Sequence, residues 1–247
     1  MPPKVPSYLP RPLRRATPAR PRVYPTPAAN GPPTGAPAVS RASPARPVSA
    51  FRPAPTTAET GGIFTYTGRH ISPLRLRTED VCIEDIAHGL ALMNRFVGQT
   101  PRPISVAQHS VYVSRLCESH GPRVALQALL HDASEAYLGD MSKWVKGMPE
   151  MEGFRKAEAQ AQMTIYESFG LSCLEHESIE EADRLMVRYE AYASWGAKMP
   201  LFLRPRYPVP TKEECERVGM WRPWTWLISE ESFLNQFNAL VSDLEDR

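Results

Sequence analysis

The first 58 residues contain no aspartate or glutamate; the first acid of the chain is Glu59. The same stretch has little that can pack. Residues 1–60 hold sixteen of the 26 prolines, together with nine basic residues, Lys4 and eight arginines. A segment so poor in apolar area cannot offset the entropy of ordering its backbone. Residues 1–60 are therefore expected to form a disordered, basic, Pro/Ala/Arg-rich tail, and residues 61–247 a single folded domain. An Arg-rich, acid-free start also fits a transit peptide, but the proline density argues against the amphipathic helix of such signals. Weak contact with nucleic acid is within reach of such an arm. Long apolar runs are missing as well, so neither a membrane span nor a signal-peptide core is expected. Cysteine is scarce: Cys82, Cys117, Cys173 and Cys215 are far apart and form no CxxC pair. That excludes a thiolate zinc site on sequence grounds and suits a reducing compartment, with the cytoplasm as the expected location.

What is present is a mildly acidic domain. From Glu59 onward there are 20 Lys and Arg against 27 Asp and Glu, although the whole chain carries +2. Ile63-Phe64-Thr65-Tyr66-Thr67, followed by Gly68-Arg69, reads as a short strand or hairpin. From Asp80 the pattern turns helical and runs to Arg95-Phe96 through Ile83, Ile86, Ala87, Leu90 and Met93. Ser105-Val106-Ala107-Gln108 reads as a capping box that opens a helix running to about His120. Pro122 starts the next helix, expected to carry His131-Asp132 and to end near Leu138-Gly139. Residues 140–150 read as a loop and 151–169 as a helix. Ser178-Ile179-Glu180-Glu181 reads as a second capping box. Residues 200–210 are irregular, Trp221, Trp224 and Trp226 read as packing anchors, and a last helix opens at Ser229. The expected fold class is all-α with a short N-terminal β hairpin.

Three polar anomalies stand out on apolar stripes. His109 shares a stripe with Val106, Val113 and Leu116; Asp183 shares one with Ile179, Ala182 and Met186. Between them lies Leu129-Leu130-His131-Asp132-Ala133-Ser134-Glu135. An ionisable group in an apolar setting needs a partner. The bland reading is a hydrogen-bonded core histidine and an Asp paired with a base; the sharper one is a shared divalent cation. Two imidazoles and two carboxylates suit Mn²⁺, Co²⁺, Fe²⁺, Zn²⁺ or Mg²⁺ in a site with open positions. Such an ion activates water and polarises a phosphoryl oxygen.

The order H…HD…D over successive helices resembles the HD-domain metal-dependent phosphohydrolase superfamily. Asn94-Arg95-Phe96, Val106-Ala107-Gln108-His109-Ser110, His131-Asp132-Ala133-Ser134-Glu135, Gly139-Asp140, Lys146 and Ala182-Asp183 are similar to segments of the bacterial 5′-deoxynucleotidases. Thr65-Tyr66-Thr67-Gly68-Arg69 and Ile83-Glu84-Asp85-Ile86-Ala87-His88 are similar to phage and bacterial HD-domain nucleotide phosphohydrolases. The resemblance spans about residues 63–195 and implies an HD-domain helical bundle. It implies one divalent metal ion on His109, His131, Asp132 and Asp183, and Glu135 as general acid/base with Asp140 beside it. It further implies a nucleotide phosphate on Arg95 and Lys146, with Phe96 near the sugar where the deoxynucleotidases carry Trp. Trp144 is a candidate for stacking on the base, although loop aromatics more often anchor their own loop. A homo-oligomer, dimer or higher, is the assembly expected alongside it. The expected reaction is hydrolysis of (deoxy)nucleoside 5′-monophosphates. The alternative is a deoxynucleoside triphosphate triphosphohydrolase, with Arg102, Arg123, Lys143 and Lys146 as candidate cations. A non-catalytic nucleotide sensor and a nucleic-acid-binding protein acting through the tail are weaker readings: no ligand or acid/base position is lost, and the domain is acidic.

Overall fold

One helix touches almost everything else. In the computed structural model, which describes residues 61–195, 205, 207–218 and 222–246, α2 (Val106–Leu116) is buried without interruption from Val106 to Ser114. A helix apolar on one stripe lies on a core; a helix buried all round lies inside it. Val106, Ala107 and Val111 join one hydrophobic cluster, while Tyr112, Val113 and Cys117 join another. The buried polar residues on α2 each have a bond. Ser105 Oγ caps the first turn by accepting from Gln108 N at 3.1 Å. Ser110 Oγ donates to Val106 O, and Ser114 Oγ donates to Ala125 O. The capping box is only half made, because the Gln108 side chain does not reach back to Ser105. It donates to Arg222 O at 2.7 Å and accepts from Trp224 N at 3.0 Å, tying down the segment that leads into the last helix.

Around α2 the architecture is all-α apart from one hairpin. Strands β1 (Ile63–Phe64) and β2 (His70–Ile71) pair antiparallel. Asp85 clamps their turn, accepting from Thr67 N at 2.7 Å and from Thr67 Oγ1 at 3.0 Å. The helices are α1 (Ile83–Leu92), α3 (Pro122–Leu129), α4 (Glu135–Leu138), α5 (Lys143–Lys146), α6 (Glu152–Ser168), α7 (Glu177–Trp195), α8 (Lys212–Val218) and α9 (Trp226–Glu245). Helices α1, α2 and α3 pack against α9. α9 buries Phe233, Phe237, Leu240 and Val241, and each such apolar side chain contributes roughly 1.5–3 kcal/mol. On its other side α2 meets α7 and α8.

Several expected boundaries move. The helix after Pro122 does not reach Gly139: α3 stops at Leu129, residues 130–134 are turns, and α4 restarts at Glu135. His131 and Asp132 therefore sit on a break in the helix. Helix α1 ends at Leu92, before Arg95 and Phe96. Helix α7 begins at Glu177, and Ser178 Oγ meets His176 Nδ1 instead of serving as its cap. The loop 140–150 contains α5. Helix α9 starts at Trp226, three residues earlier than expected, with Thr225 accepting from Ile228 N. Trp224 packs on both clusters, whereas Trp226 is exposed and meets the edge of His88. The tail and Trp221 lie outside the described residues, as does most of the expected irregular segment. Among the described residues no helix is long and apolar enough to cross a membrane.

Candidate metal centre and cleft

Helix α2 delivers His109 to the seam between the two clusters, with its side chain fully buried. The break after α3 delivers His131, and α7 delivers Asp183 from the opposite side. One ligand atom from each of these three residues lies within 4.8 Å of the others, so the group can hold a metal ion. His109 Nε2 is 3.0 Å from Asp183 Oδ1. Asp132, the fourth expected ligand, stands beside that triplet: its Oδ2 is 3.3 Å from His131 Nε2 and 3.9 Å from His109 Nε2.

The two imidazoles are fixed in the same sense by different means. His131 Nδ1 lies 2.8 Å from Ala128 O. A carbonyl only accepts, so Nδ1 carries the hydrogen and Nε2 keeps its lone pair. His109 Nδ1 lies 3.0 Å from Glu190 Oε1, so it too donates from Nδ1 and leaves Nε2 to face Asp183. Both Nε2 atoms are buried and neither has a hydrogen-bond partner. Buried polar atoms are rarely left so. Two borderline nitrogens aimed at carboxylate oxygens, with no thiolate nearby, fit a divalent cation.

The electrostatics agree with that geometry. Burial and Arg95 oppose charge on His109, but Glu190 and Asp183 outweigh them and push it up to about 9. Burial works against ionising Asp183 too, yet His109, His131 and Arg95 hold it below the usual carboxylate range. Nε2 of His109 is thus a position that a proton or a cation can take.

Glu135 begins α4 with its side chain buried and its Oε2 without a hydrogen-bond partner. Burial, reinforced by Asp132 and Asp140, pushes its carboxyl up to about 9. Burial likewise raises Asp140. Arg95 reaches three carboxylates at once: Glu190 Oε2 from Nε at 3.0 Å, Asp132 Oδ2 at 3.4 Å and Asp183 Oδ1 at 3.8 Å. Its loop closes through a bridge between Asn94 and Ser105, with Arg95 N donating to Ile104 O at 2.8 Å. Beyond it, Phe96 and Val97 are both left-handed, at φ 55° and 54°, before Gly98 at 69°. Such backbone is costly for a β-branched residue and gathers at functional sites.

The aspartates, Glu135 and Arg95 open into a cleft of about 960 Å³, and His109 and His131 are not among its lining residues. Arg95, Phe96, Asp132, Glu135, Asp140, Trp144, Lys146 and Asp183 all line it. Phe96 packs edge-on against Trp195, ring centres 5.2 Å apart. Trp144 is exposed on the wall. Lys146 is held by Glu158 at 2.6 Å, which restrains it as a phosphate ligand. Of the other expected cations, Lys143 lines the cleft, whereas Arg102 and Arg123 are not among its lining residues.

Two bacterial proteins each match about half of the chain. The uncharacterized protein YfdR of Escherichia coli (strain K12) is 32% identical over 128 residues, covering 52% of this chain and 69% of that protein. The uncharacterized protein RCAP_rcc00048 of Rhodobacter capsulatus is 36% identical over 135 residues, covering 51% and 68%. The chain belongs to the YfdR family. No protein-family profile matches it.

In this YfdR-family chain the structure brings the expected residues His109, His131, Asp132 and Asp183 together, and beneath them lies one residue that the sequence reading missed. Glu190 is completely buried on α7 and accepts from both His109 Nδ1 and Arg95 Nε. Its signal was its spacing. It follows Asp183 by seven residues and Met186 by four, so it lies on the same helical stripe. A second acid on that stripe needs a donor as much as the first does.

Proposed function

We propose that this protein is an HD-type, metal-dependent phosphohydrolase that releases phosphate from (deoxy)nucleoside 5′-monophosphates. One observation carries the reading. Two buried imidazoles present unpartnered Nε2 atoms to Asp183 and Asp132 on the floor of a cleft that also holds Arg95 and Glu135. His109, His131, Asp132 and Asp183 would hold the ion. A divalent ion supplies Lewis acidity toward a phosphoryl oxygen and makes water a stronger nucleophile at neutral pH.

The remaining work belongs to the protein. The forked donors of Arg95 suit a phosphate, and its carboxylate partners keep the guanidinium extended over the floor. Glu135, whose carboxyl is raised by burial and by Asp132 and Asp140, would give a proton to the leaving 5′-oxygen. Asp140, on the same wall, adds negative charge that helps keep the Glu135 carboxyl raised. Phe96 and Trp195 form an apolar wall suited to the sugar, and Trp144 offers a ring face to the base. The four cysteines are all free, which suits a cytoplasmic enzyme.

A second reading, hydrolysis of deoxynucleoside triphosphates with release of triphosphate, draws on Lys143, Arg184, Arg188 and Arg217 along the cleft. The three arginines are already engaged by Glu180, Glu214 and Glu181 respectively, which favours the monophosphate. The deciding experiment incubates EDTA-stripped protein with nucleoside mono-, di- and triphosphates, with and without Mn²⁺ or Co²⁺, and identifies what is released. Metal-dependent release of orthophosphate from monophosphates is expected. Intact triphosphate selects the second reading. Hydrolysis that persists in excess EDTA, with no metal found by elemental analysis, removes the metal site from the mechanism.

A further inference from the structure

We infer that Glu190 is the positioning residue that makes His109 a metal ligand, by fixing which ring nitrogen carries the proton. The inference rests on the metal-centre part of the reading above but not on any substrate. The two histidines differ in how they are held. The Nδ1–H of His131 goes to a backbone carbonyl, Ala128 O, which no side-chain substitution removes. The Nδ1–H of His109 goes to a side chain, Glu190 Oε1 at 3.0 Å. Only one of the two nitrogen assignments therefore depends on a replaceable residue.

The other oxygen of Glu190 makes that dependence sharp. Oε2 accepts from Arg95 Nε at 3.0 Å, and the Glu190 side chain is completely buried. The carboxylate thus faces two donors and satisfies both, as a group with only acceptors can. A glutamine of the same volume cannot, because it brings one oxygen and one NH₂. Arg95 has no acceptor and does not lose its proton, so the amide oxygen must turn to Arg95. The NH₂ then faces Nδ1 of His109, which has to accept. With Nδ1 accepting, a neutral His109 must keep its hydrogen on Nε2, on the side facing Asp183, where it blocks the lone pair that would bind a cation. One buried carboxylate couples the phosphate-side arginine to the metal-side histidine.

The test titrates Co²⁺ into EDTA-stripped full-length protein by calorimetry, comparing wild type with Glu190→Gln. Loss of a group that orients a ligating histidine typically weakens metal binding by about 10- to 100-fold, and a loss in that range is expected. The unfolding midpoint of the stripped protein reports the structural effect separately. Unchanged Co²⁺ affinity in Glu190→Gln overturns the inference, whatever happens to the midpoint. If the variant does not fold, the wild type decides. In zinc-loaded protein, ring-nitrogen NMR should show His109 bound through Nε2 with hydrogen on Nδ1. Binding through Nδ1, or no metal binding at all, overturns it. A wild type that binds metal and hydrolyses no nucleotide sinks the proposed function and leaves this inference standing.

Discussion

Two environments that border α2 are built on opposite principles. Toward α1, α3 and α9 it meets an apolar cluster in which Phe233, Phe237, Leu126 and Leu129 are fully buried. Where it faces the cleft beside α7 it presents His109, and the charged groups there are the fully buried Glu190 and the partly exposed Arg95 and Asp183. The first environment holds by removing area from water; its members can be exchanged for others of similar volume at modest cost. The second holds by pairing each charge with another, and one change strands a partner. Stability should therefore track the first environment and chemistry the second. The largest expected effect tests the first half of that contrast. Phe237→Ala deletes a fully buried ring that also packs edge-on against Phe169 at 5.2 Å. Denaturant titration should show a loss of about 3–5 kcal/mol. Metal affinity of the fraction that remains folded should stay near wild type. A loss below about 1 kcal/mol would mean that α9 is not the spine of this core.

Glu135→Gln tests the other half. Removing a general acid costs about 10² to 10⁴ in rate, so kcat on the nucleotide should fall by at least the lower bound while metal content is kept. Stability should move the opposite way. A carboxyl raised from 4.5 to about 9 by burial is penalised in the folded state whenever it ionises. The folded protein holds that proton more tightly than the unfolded chain. Its contribution is thus fully present below pH 4.5 and is lost as pH rises toward 9. In EDTA-stripped protein, Glu135→Gln should match wild type near pH 4 and be the more stable of the two near pH 8. A variant less stable at pH 8 would show that the ionised carboxylate is held by partners, and its role as a proton donor at neutral pH would fall.

The same contrast explains what could be read from the residues alone. A polar residue on an apolar stripe is conspicuous in sequence, so His109 and Asp183 were legible from helical spacing, and the hairpin from its β-prone run and Gly68. The break after Leu129 was not. Residues 122–139 contain no internal proline or glycine, and nothing local stops the helix. The break is sustained from elsewhere in the fold: Gln162 on α6 donates to Leu130 O at 2.7 Å and accepts from Ser134 N at 3.0 Å. It takes up backbone groups that a continuous helix would have paired, a case of tertiary contacts overriding propensity. Glu190 was passed over because a glutamate late in a helix ordinarily faces water. Its two donors come from residues 81 and 95 positions away. The commitment of Lys146 to Glu158 was hidden for the same reason. Only partners distant in sequence decide whether such a charge is free.

The smallest effect is expected at the rim, where the cleft stores strain that the core does not. Phe96 and Val97 both sit near φ 55°. A left-handed residue other than glycine costs roughly 1–2 kcal/mol, and β-branched residues tolerate it least. Val97 recovers little of that by packing, since 59% of it is exposed. Asparagine adopts the same backbone more readily because its short side chain bonds locally. Val97→Asn should therefore raise stability by about 1 kcal/mol, a gain of roughly 2–4 °C in Tm for a domain of this size. Arg95 is anchored independently, through Ile104 O and Glu190, so kcat/KM should change little. A lower Tm would show that the Val97 side chain, not the Asn94–Ser105 bridge, holds this turn. A higher Tm with a large fall in kcat/KM would show instead that the strain itself keeps Arg95 aimed at the cleft floor. In that case the rim, like the seam beneath it, trades stability for position.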